Sequence, residues 1–264
     1  MYGFEYERPS SVADAVRASA GDARYLAGGQ SLVQSMKLRL ASASTLVDLA
    51  AISGLRGLTR EASALKIGAM TRHSEVARSP EVRDAIPALA DLAEGIGDPM
   101  VRNQGTIGGS IANADPAADY PAAVLGLGAT IETDRRTIAA DDFFVDLFTT
   151  ALEPGELIVA VRFPLVKRAA YVKLRQPASR FALVGVFVAQ APDGVRVAVT
   201  GARSHVFRVA EMEQALARDF TPEAIEGVQV DPAGCNSDLH GSAQYRAAMV
   251  TVLARRAVAQ ARER

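Results

Sequence analysis

The chain has 264 residues, of which 49% are hydrophobic and 22% charged, and 29 Lys and Arg against 30 Asp and Glu leave a formal net charge of −1. This composition excludes a disordered or fibrous chain, and the lack of a basic excess argues against nucleic acid or an anionic membrane as the main partner. The single cysteine, Cys235, excludes an internal disulfide framework, a four-cysteine iron–sulfur cluster and a cysteine-based zinc site. The histidines at 73, 205 and 240 do not have the spacing of metal ligands, so no metal site is expected.

The N-terminus carries acids where a signal peptide needs a basic flank and an apolar run. No segment approaches the roughly twenty apolar residues of a membrane span. The sequence therefore predicts a soluble protein of the cytoplasm. Because the chain lacks metal ligands of its own, hard redox chemistry would have to come from an organic cofactor or a partner chain.

Residues 1 to about 54 alternate between helical and strand patterns, which predicts a small mixed α/β lobe. Ser10 or Ser11 can cap the first helix, and Gly28 and Gly29 follow the first strand. The expected elements are a helix after this cap, a strand over 23–27, a helix over 32–40 and a strand over 45–49.

The stretch from about 55 to 166 keeps this mixed character and predicts a second lobe. Its central segment, 97–109, is too rich in turn formers to be one regular element. The expected elements are strands over 64–69, 129–133 and 157–163, and helices from about 71, over 87–96 and over 120–127.

From residue 167 onward the pattern changes to consecutive strands, which predicts a separate C-terminal domain over 167–264 after a two-lobed domain over 1–166. Asp193 and Gly194 form a hairpin-turn signal between the last two strands. The expected elements are strands over 170–175, 182–188 and 195–199, in a three-stranded antiparallel sheet, and helices over 209–217 and 242–262.

Two glycine-rich segments are the candidates for a ligand site. The first, Ala27-Gly-Gly-Gln-Ser31, follows a strand and opens a helix, so its exposed N–H groups and the Ser31 hydroxyl suit phosphate oxygens. The second, Thr106-Ile-Gly-Gly-Ser110, has the same chemistry of small residues around a Gly–Gly pair. Neither segment matches the dinucleotide fingerprint GxGxxG or the P-loop GxxxxGK[ST].

Each Gly–Gly pair alone could be a tight turn and nothing more. Two such loops together could clamp a diphosphate from both sides, because a diphosphate carries two charged groups that need several donors. The sequence therefore predicts a diphosphate cleft made by backbone N–H groups from two distant segments.

Eight motifs follow one another along nearly the whole chain. They are Phe4-x-Tyr-x-x-Pro-x-Ser11, Ala27-Gly-Gly-Gln-Ser31, Met36-Lys-Leu-Arg39, Val47-Asp-Leu49, Arg102-Asn-x-Gly-Thr-Ile-Gly-Gly-Ser110, Asp115-Pro-Ala-Ala-Asp119, Tyr171-x-Lys173 and Asp238-Leu-His-Gly-Ser-x-x-Tyr245-Arg246. Together they resemble the FAD-binding medium subunit of the molybdenum hydroxylases. That family includes the flavoprotein subunits of aerobic carbon monoxide dehydrogenase and of the xanthine dehydrogenase group.

The resemblance implies an α+β fold. A two-lobed FAD-binding domain of the vanillyl-alcohol-oxidase (PCMH) type, with lobes at about 1–54 and 55–166, would precede a C-terminal domain with a three-stranded antiparallel sheet and helices. It also implies non-covalent FAD, whose diphosphate would be held by Ala27, Gly28, Gly29, Gln30, Ser31, Leu32, Gly105, Thr106, Gly109 and Ser110. No residue of the chain is expected to act as a catalyst on the substrate.

The resemblance places further residues around the rest of the cofactor. Asp119 would bind the ribityl chain or the flavin edge, and Leu157 and Ile158 would pack on the adenine and offer it backbone hydrogen bonds. Lys173 would lie near the flavin ring, where a cation stabilises anionic reduced flavin, and Phe181 would cover one face of the ring. Asp119 could instead cap the next helix, Lys173 could be a surface residue, and Phe181 could be core.

The implied function is electron transfer within a complex. A molybdopterin centre on a large partner chain would oxidise the substrate, [2Fe-2S] clusters on a small partner chain would pass electrons to FAD here, and the flavin would reduce an external acceptor. The three chains would assemble as a dimer of heterotrimers. Two alternatives stay open: a free-standing flavin-dependent oxidase or reductase of the same fold, and a non-catalytic nucleotide-binding protein. The absence of any histidine near the second loop, or of an obvious active-site base, argues mildly against a free-standing enzyme.

Overall fold

A three-stranded parallel sheet with order β1-β3-β2 forms the first lobe of the computed structural model, which describes residues 1–191 and 193–263. Its elements are β1 (Glu5–Glu7), α1 (Val12–Ala18), β2 (Ala23–Leu26), α2 (Leu32–Lys37) and β3 (Thr45–Asp48). Ser11, not Ser10, caps α1, because its hydroxyl accepts a hydrogen bond from Asp14 N. Strand β1 was not predicted, since all three of its residues are exposed and carry no apolar alternation.

The second lobe contains a five-stranded antiparallel sheet with order β4-β5-β10-β6-β7, covered by helices. Its strands are β4 (Leu58–Arg60), β5 (Ala64–Gly68), β6 (Thr130–Thr133), β7 (Thr137–Ala139), β8 (Phe144–Asp146), β9 (Thr149–Thr150) and β10 (Ile158–Pro164), with β8 and β9 forming a separate hairpin. Its helices are α3 (His73–Arg78), α4 (Pro80–Ala85), α5 (Pro87–Glu94), α6 (Pro99–Arg102), α7 (Ile107–Asn113), α8 (Tyr120–Gly126) and α9 (Ala140–Phe143). The turn-rich segment 97–109 therefore contains the short helix α6 and the start of α7.

An antiparallel sheet with order β11-β12-β13-β14 follows, packed against α10 and α11. Its elements are β11 (Arg168–Arg175), β12 (Ala182–Ala191), β13 (Gly194–Thr200), β14 (Phe207–Arg208), α10 (Ala210–Arg218) and α11 (Ala243–Arg262). The three predicted strands are present. A fourth, β14, was missed because its two residues are too few to show a period.

Strand β12 is apolar on both faces because it separates two cores. Val184, Val186 and Val188 point toward α11, whereas Phe187 and Ala189 join the core of the second lobe. The C-terminal sheet is thus fixed against the second lobe. No α-helix within the described residues has the length and hydropathy of a bilayer span.

The same sheet also holds the segment that precedes α8. Thr200 Oγ1 donates to the carbonyls of Pro116 at 2.8 Å and Ala118 at 2.7 Å, and Gly201 N donates to Pro116 O at 2.7 Å. These bonds fix the backbone immediately before Asp119, so the C-terminal sheet sets the position of that carboxylate.

Candidate functional site

A cleft of about 430 Å³ brings together residues from both lobes and from the C-terminal domain. A ligand pocket of this size is ordinary for a cofactor or a small molecule. The predicted residues that line it are Ala27, Gly28, Gly29, Gln30, Ser31, Leu32, Gly105, Thr106, Gly109, Ser110, Asp119, Leu157, Ile158 and Phe181. Lys173, the remaining predicted residue, is not part of the lining but contacts it through Asp119.

The two glycine loops meet directly at one end of this cleft. A Cβ atom on Gly28 would overlap the carbonyl oxygen of Gln104 and lie 2.7 Å from Gly105 Cα. A Cβ on Gly109 would lie 3.4 Å from Ala27 Cβ. Only glycine at position 28 allows this backbone contact, so two segments about 75 residues apart in sequence form a single wall.

The first loop leaves its backbone donors free. The N–H groups from Gly28 to Leu32 make no hydrogen bond to any described residue, and Ser31 occupies the N-cap position of α2 without a side-chain capping bond. Gly29 has φ +69°, a left-handed conformation of the kind found in the backbone concavities that bind anions. Polar groups in this state require water or a ligand as a partner.

The second loop does not provide the backbone donors that the sequence suggested. Ile107 N donates to Thr71 O at 3.1 Å, Gly108 N to Ala69 O at 2.8 Å, and Gly109 N to Thr106 Oγ1 at 3.2 Å. Ser110 N is also used, because it donates to Thr106 O at 3.0 Å. The prediction of a backbone cradle is therefore wrong for Ile107 to Ser110; the loop is left with the N–H of Thr106, which has no partner among the described residues, and the Ser110 hydroxyl.

Asp119 is the charged centre of the cleft. Its Oδ1 accepts a hydrogen bond from Tyr171 Oη at 2.5 Å, and its Oδ2 accepts one from Lys173 Nζ at 2.8 Å. The Asp119 and Lys173 side chains are almost fully buried. Asp119 stands at the N-cap of α8 but makes no capping bond, so the alternative of a simple helix cap does not describe it.

Burial dominates the protonation equilibria of this cluster. It raises the pKa of Asp119, and the ammonium of Lys173 opposes that rise. Burial and the neighbouring Asp119 charge raise the pKa of Tyr171 well above its ordinary value, so the phenol remains a donor. Lys173 is thus neither a surface residue nor a free cation: its charge is neutralised by the carboxylate that lines the cleft.

His73 also lines the cleft, although its sequence position gave no sign of this. Its backbone N–H donates to Gly105 O at 3.0 Å, and a Cβ on Gly105 would lie 2.5 Å from the Nε2 of its ring. A histidine therefore does lie beside the second loop. Burial, with a smaller contribution from the charge of Arg102, lowers the pKa of His73 to about 4. The imidazole is neutral at pH 7 and fills space behind the loop.

Leu157 is less available than the sequence suggested. Its N–H donates to Asp134 Oδ1 at 2.7 Å, and its carbonyl accepts from Asp134 N at 2.9 Å. The next glutamate upstream, Glu156, is held by Arg136 at 2.9 Å, a contact that lowers its pKa to about 2. The cleft wall at Leu157 and Ile158 is therefore chiefly an apolar surface.

Comparisons with known proteins identify one family over nearly the whole chain. The model of a family described as "FAD binding domain in molybdopterin dehydrogenase" matches residues 2–166. The carbon monoxide dehydrogenase medium chain of Hydrogenophaga pseudoflava is 37% identical over 97% of this chain and 96% of that one. The nicotine 6-hydroxylase medium subunit of Paenarthrobacter nicotinovorans is 34% identical over 97% and 96%.

A similar structure extends the likeness to the whole fold. In reconstituted CO dehydrogenase from Oligotropha carboxidovorans, a chain that is 34% identical superposes with a TM-score of 0.92, covering 100% of this chain and 99% of that one. The α+β architecture of the FAD-binding lobes and C-terminal domain is therefore confirmed.

Proposed function

Since this chain belongs to the FAD-binding medium subunits of the molybdenum hydroxylases, we propose that it holds FAD in the cleft and transfers electrons from a partner chain to an external acceptor. When bound, FAD supplies a carrier that takes up and gives out electrons singly or in pairs. The chain's own contribution is to bind and orient that carrier.

One observation carries this proposal: the two glycine loops and Asp119 line a single cleft. The free N–H groups from Gly28 to Leu32 and the hydroxyl of Ser31 suit the diphosphate, because these donors have no other partner among the described residues. Gly109 and the Ser110 hydroxyl would face the same group from the other loop. The residues present therefore fit a diphosphate-bearing cofactor held without a covalent bond.

The remaining assignments follow the chemistry of the cleft. Asp119, whose carboxylate oxygens keep free lone pairs beside the Tyr171 and Lys173 donors, would accept hydrogen bonds from the ribityl hydroxyls or the flavin edge. Leu157 and Ile158 would pack against the adenine, and Phe181 would cover one face of the flavin. We assign Lys173 an indirect role, in which it keeps the Asp119 carboxylate ionised.

The relatives' names indicate how the chain is used. They are medium chains or subunits of dehydrogenase and hydroxylase complexes, which favours the medium-subunit function over a free-standing oxidase or a nucleotide-binding protein. We propose that a large partner chain carries molybdopterin, that a small partner chain carries the iron–sulfur clusters, and that the assembly is a cytoplasmic dimer of heterotrimers. Hydroxylation would then take place on the large chain.

Cofactor binding is tested by adding excess FAD to the purified chain and removing unbound FAD by gel filtration. We expect a yellow chain with about one acid-releasable FAD per chain and no hydroxylation activity. Ala112 is exposed and lines the cleft, so Ala112→Trp should block loading, whereas Ala62→Trp, at an exposed site outside the lining, should not. A chain that stays colourless in excess FAD contradicts the proposal.

Assembly is tested by native mass spectrometry of the complex purified from its source through a tag on this chain. We expect a large chain and a small cysteine-rich chain, with two copies of each of the three chains. A tagged chain recovered alone under the conditions in which its FAD is retained contradicts the proposed assembly.

A further inference from the structure

A group of large apolar side chains close to the N-terminus is exposed to solvent: Tyr2, Phe4, Tyr6, Leu38 and Leu40. None of them lines the cleft, so FAD binding gives them no role. They belong to one surface, because the guanidinium carbon of Arg39 lies 5.6 Å from the centre of the Tyr2 ring and joins the two segments. We call these five apolar residues the N-terminal surface. Exposed apolar groups gathered in this way are typical of an interaction site.

The strand register puts Tyr6 on the side of the parallel sheet that α2 covers. Tyr6 pairs with Leu46 of β3, and paired residues of neighbouring parallel strands point to the same face. Leu46 packs in a small core with Met36 of α2. The next residue, Val47, instead packs with Ala15 of α1 on the opposite face. The Tyr6 side chain and α2 therefore share one side of the first lobe.

This side of the first lobe carries exposed positive charge. Lys37 and Arg39 are exposed and form no ion pair with a described residue. The exposed carboxylates of β1, Glu5 and Glu7, flank Tyr6 in the strand and so point to the opposite face. A complementary partner therefore presents apolar side chains together with carboxylates. A second copy of this surface would set the same cations against each other, which argues against self-association.

Asp48 holds Tyr6 in place and does not offset these cations. Its Oδ2 accepts a hydrogen bond from Tyr6 Oη at 2.5 Å and lies 3.6 Å from Arg8 Nε, and the carboxylate is buried. An aromatic side chain that is already fixed loses little conformational entropy when a partner covers it.

Arg39 occupies a position that normally favours glycine. Leu40 N donates to Ser35 O at 2.9 Å, a bond that ends α2, and Arg39 has a left-handed φ of +60°. This conformation is strained for a residue with a Cβ atom, so an arginine here favours a use for its guanidinium. The same turn leaves Leu38 and Leu40 71% and 78% exposed on either side of that guanidinium.

Strand β1 also has an open backbone edge. It is the outer strand of the sheet, and Glu5 N donates to Ser44 O at 2.8 Å on the β3 side. Because alternate residues of a parallel strand bond to the same neighbour, the N–H of Tyr6 points to the open side. A polypeptide can supply an acceptor there, whereas the hydrocarbon of a bilayer cannot. The N-terminal surface therefore fits a protein better than a membrane.

Helix α2 connects this surface to the cleft. It begins at Leu32, which lines the cleft beside Ser31, and ends at Lys37. Its six residues span about 9 Å. A chain bound to the N-terminal surface would thus lie one short helix away from the loop proposed to hold the FAD diphosphate. Electron transfer slows steeply with distance, so the chain that supplies electrons has to bind close to the cleft.

We propose that the N-terminal surface binds the small iron–sulfur partner chain, through a segment of that chain that presents apolar side chains and carboxylates. The carboxylates would pair with Lys37 and Arg39, and the apolar side chains would cover Leu38 and Leu40. This inference rests on the proposed function, because that function supplies the small chain and its electrons.

The complex purified from its source through a C-terminal tag on this chain tests the proposal. Leu38→Asp with Leu40→Asp replaces the apolar contact by two carboxylates, and the small chain recovered per tagged chain should fall by about tenfold or more. Native mass spectrometry and iron analysis measure that chain. Leu239→Asp with Val252→Asp is the matched control at exposed apolar residues of the C-terminal domain, and it should retain the parent's amount. Full retention in Leu38→Asp with Leu40→Asp overturns the proposal.

A charge series tests the chemistry of the partner. Changing Lys37 and Arg39 together to Gln should weaken retention of the small chain, and changing both to Glu should weaken it further, because Glu repels carboxylates. Arg60→Glu with Arg256→Glu makes the same change at two exposed sites elsewhere and should leave retention unaltered. Equal retention in the Gln and Glu variants would show that carboxylates do not recognise this surface.

Two measurements on the purified chain examine the other occupants. Flotation with vesicles of phosphatidylcholine and phosphatidylserine measures membrane binding, and sedimentation velocity measures self-association. We expect no vesicle binding and no dimer that depends on the N-terminal surface. Vesicle binding, or a dimer, that Leu38→Asp with Leu40→Asp abolishes would overturn the proposal in favour of a membrane or a second copy.

Failure of this inference is distinct from failure of the proposed function. The variants should load FAD and give circular dichroism like the parent, since none of the changed residues lines the cleft. A loss of FAD from Leu38→Asp with Leu40→Asp would assign these residues to the cofactor site and overturn the docking role. A parent complex without the small chain contradicts the proposed function, whereas a variant complex that keeps it contradicts only the N-terminal surface.

Discussion

The two Gly–Gly loops have the same pattern of small residues but opposite hydrogen-bonding states. In the first loop, the N–H groups from Gly28 to Leu32 have no partner among the described residues. In the second loop, the N–H groups from Ile107 to Ser110 are all bonded within the protein. A Gly–Gly pattern therefore predicts a sharp turn and a close approach, but it does not predict whether the donors are free.

The difference comes from what lies behind each loop. The first loop leaves β2, an edge strand of the parallel sheet, and although the Gln104 carbonyl lies against Gly28, it accepts none of the loop's N–H groups. The second loop packs against residues 69–71, whose carbonyls accept its N–H groups, and against the buried ring of His73. The first loop is thus available to a ligand, and the second is a part of the scaffold that presents it.

The largest expected effect is a loss of stability at Gly108, and it tests whether the second loop is scaffold. In Gly108→Ala, the new Cβ would lie 2.6 Å from Ala69 Cβ and 2.7 Å from Ala69 O. This overlap should lower the free energy of unfolding by about 3 kcal/mol. Urea denaturation followed by circular dichroism measures the change.

Gly54→Ala is the matched control, because a Cβ at Gly54 meets nothing within 4 Å. It should leave the free energy of unfolding within about 0.5 kcal/mol of the parent. If Gly108→Ala is tolerated as well as Gly54→Ala, the second loop is not packed as described.

The pH dependence of stability tests the support behind the second loop. Folded His73 has a pKa of about 4, against an ordinary value of 6.5, so between these values the unfolded chain binds more protons. The contribution of His73 is complete above pH 6.5 and is lost as the pH falls toward 4. The loss of this contribution should lower the free energy of unfolding by about 2 kcal/mol between pH 7 and pH 5.

Urea denaturation at both pH values should show that His73→Phe removes this difference, because phenylalanine does not titrate. His240→Phe, which changes an exposed histidine, should retain the wild-type pH dependence. An unchanged pH dependence in His73→Phe would mean that the buried imidazole is not the group that titrates.

A smaller loss of stability is expected at Thr106, the N-cap residue of α7. Its hydroxyl accepts from Gly109 N at 3.2 Å, and Thr106→Ala should lower the free energy of unfolding by about 1 kcal/mol. Thr106→Ser keeps the hydroxyl and should recover most of that loss. Urea denaturation of the parent and the two variants measures the free energy of unfolding. A loss of equal size in Thr106→Ser would mean that the missing methyl group, not the hydroxyl, accounts for the effect.

Much of the fold was predictable because apolar spacing is strong where elements are long. The 20-residue helix α11 and the 10-residue strand β12 carry this signal over their whole length. Strands β1 and β14 were missed because one is fully exposed and the other has two residues. Their positions follow from pairing with distant strands, and a single strand's sequence does not record its partner.

The site was predictable only in part, for a related reason. The Gly–Gly motifs and the family resemblance identified the two loops and Asp119. Neither showed that Lys173 pairs with Asp119, which lies 54 positions away in sequence. His73 carried no local signal either, since a histidine at a helix start is common whether or not it faces a cleft. Which donors are free is a property of packing, and packing joins residues that the sequence keeps apart.

The smallest change in stability is expected at Ser31, and comparing it with Thr106 distinguishes the roles of the two loops. The Ser31 hydroxyl makes no capping bond, so Ser31→Ala should leave the free energy of unfolding within about 0.5 kcal/mol of the parent. If this hydroxyl donates to the FAD diphosphate, its removal should raise the dissociation constant for FAD about tenfold, equivalent to about 1.4 kcal/mol. Thr106→Ala should show the reverse pattern, with lower stability and an FAD dissociation constant within about threefold of the parent. Calorimetric titration and urea denaturation of both variants give the two pairs of values. Equal effects of the two substitutions on both quantities would remove the distinction between a ligand-binding loop and a scaffold loop.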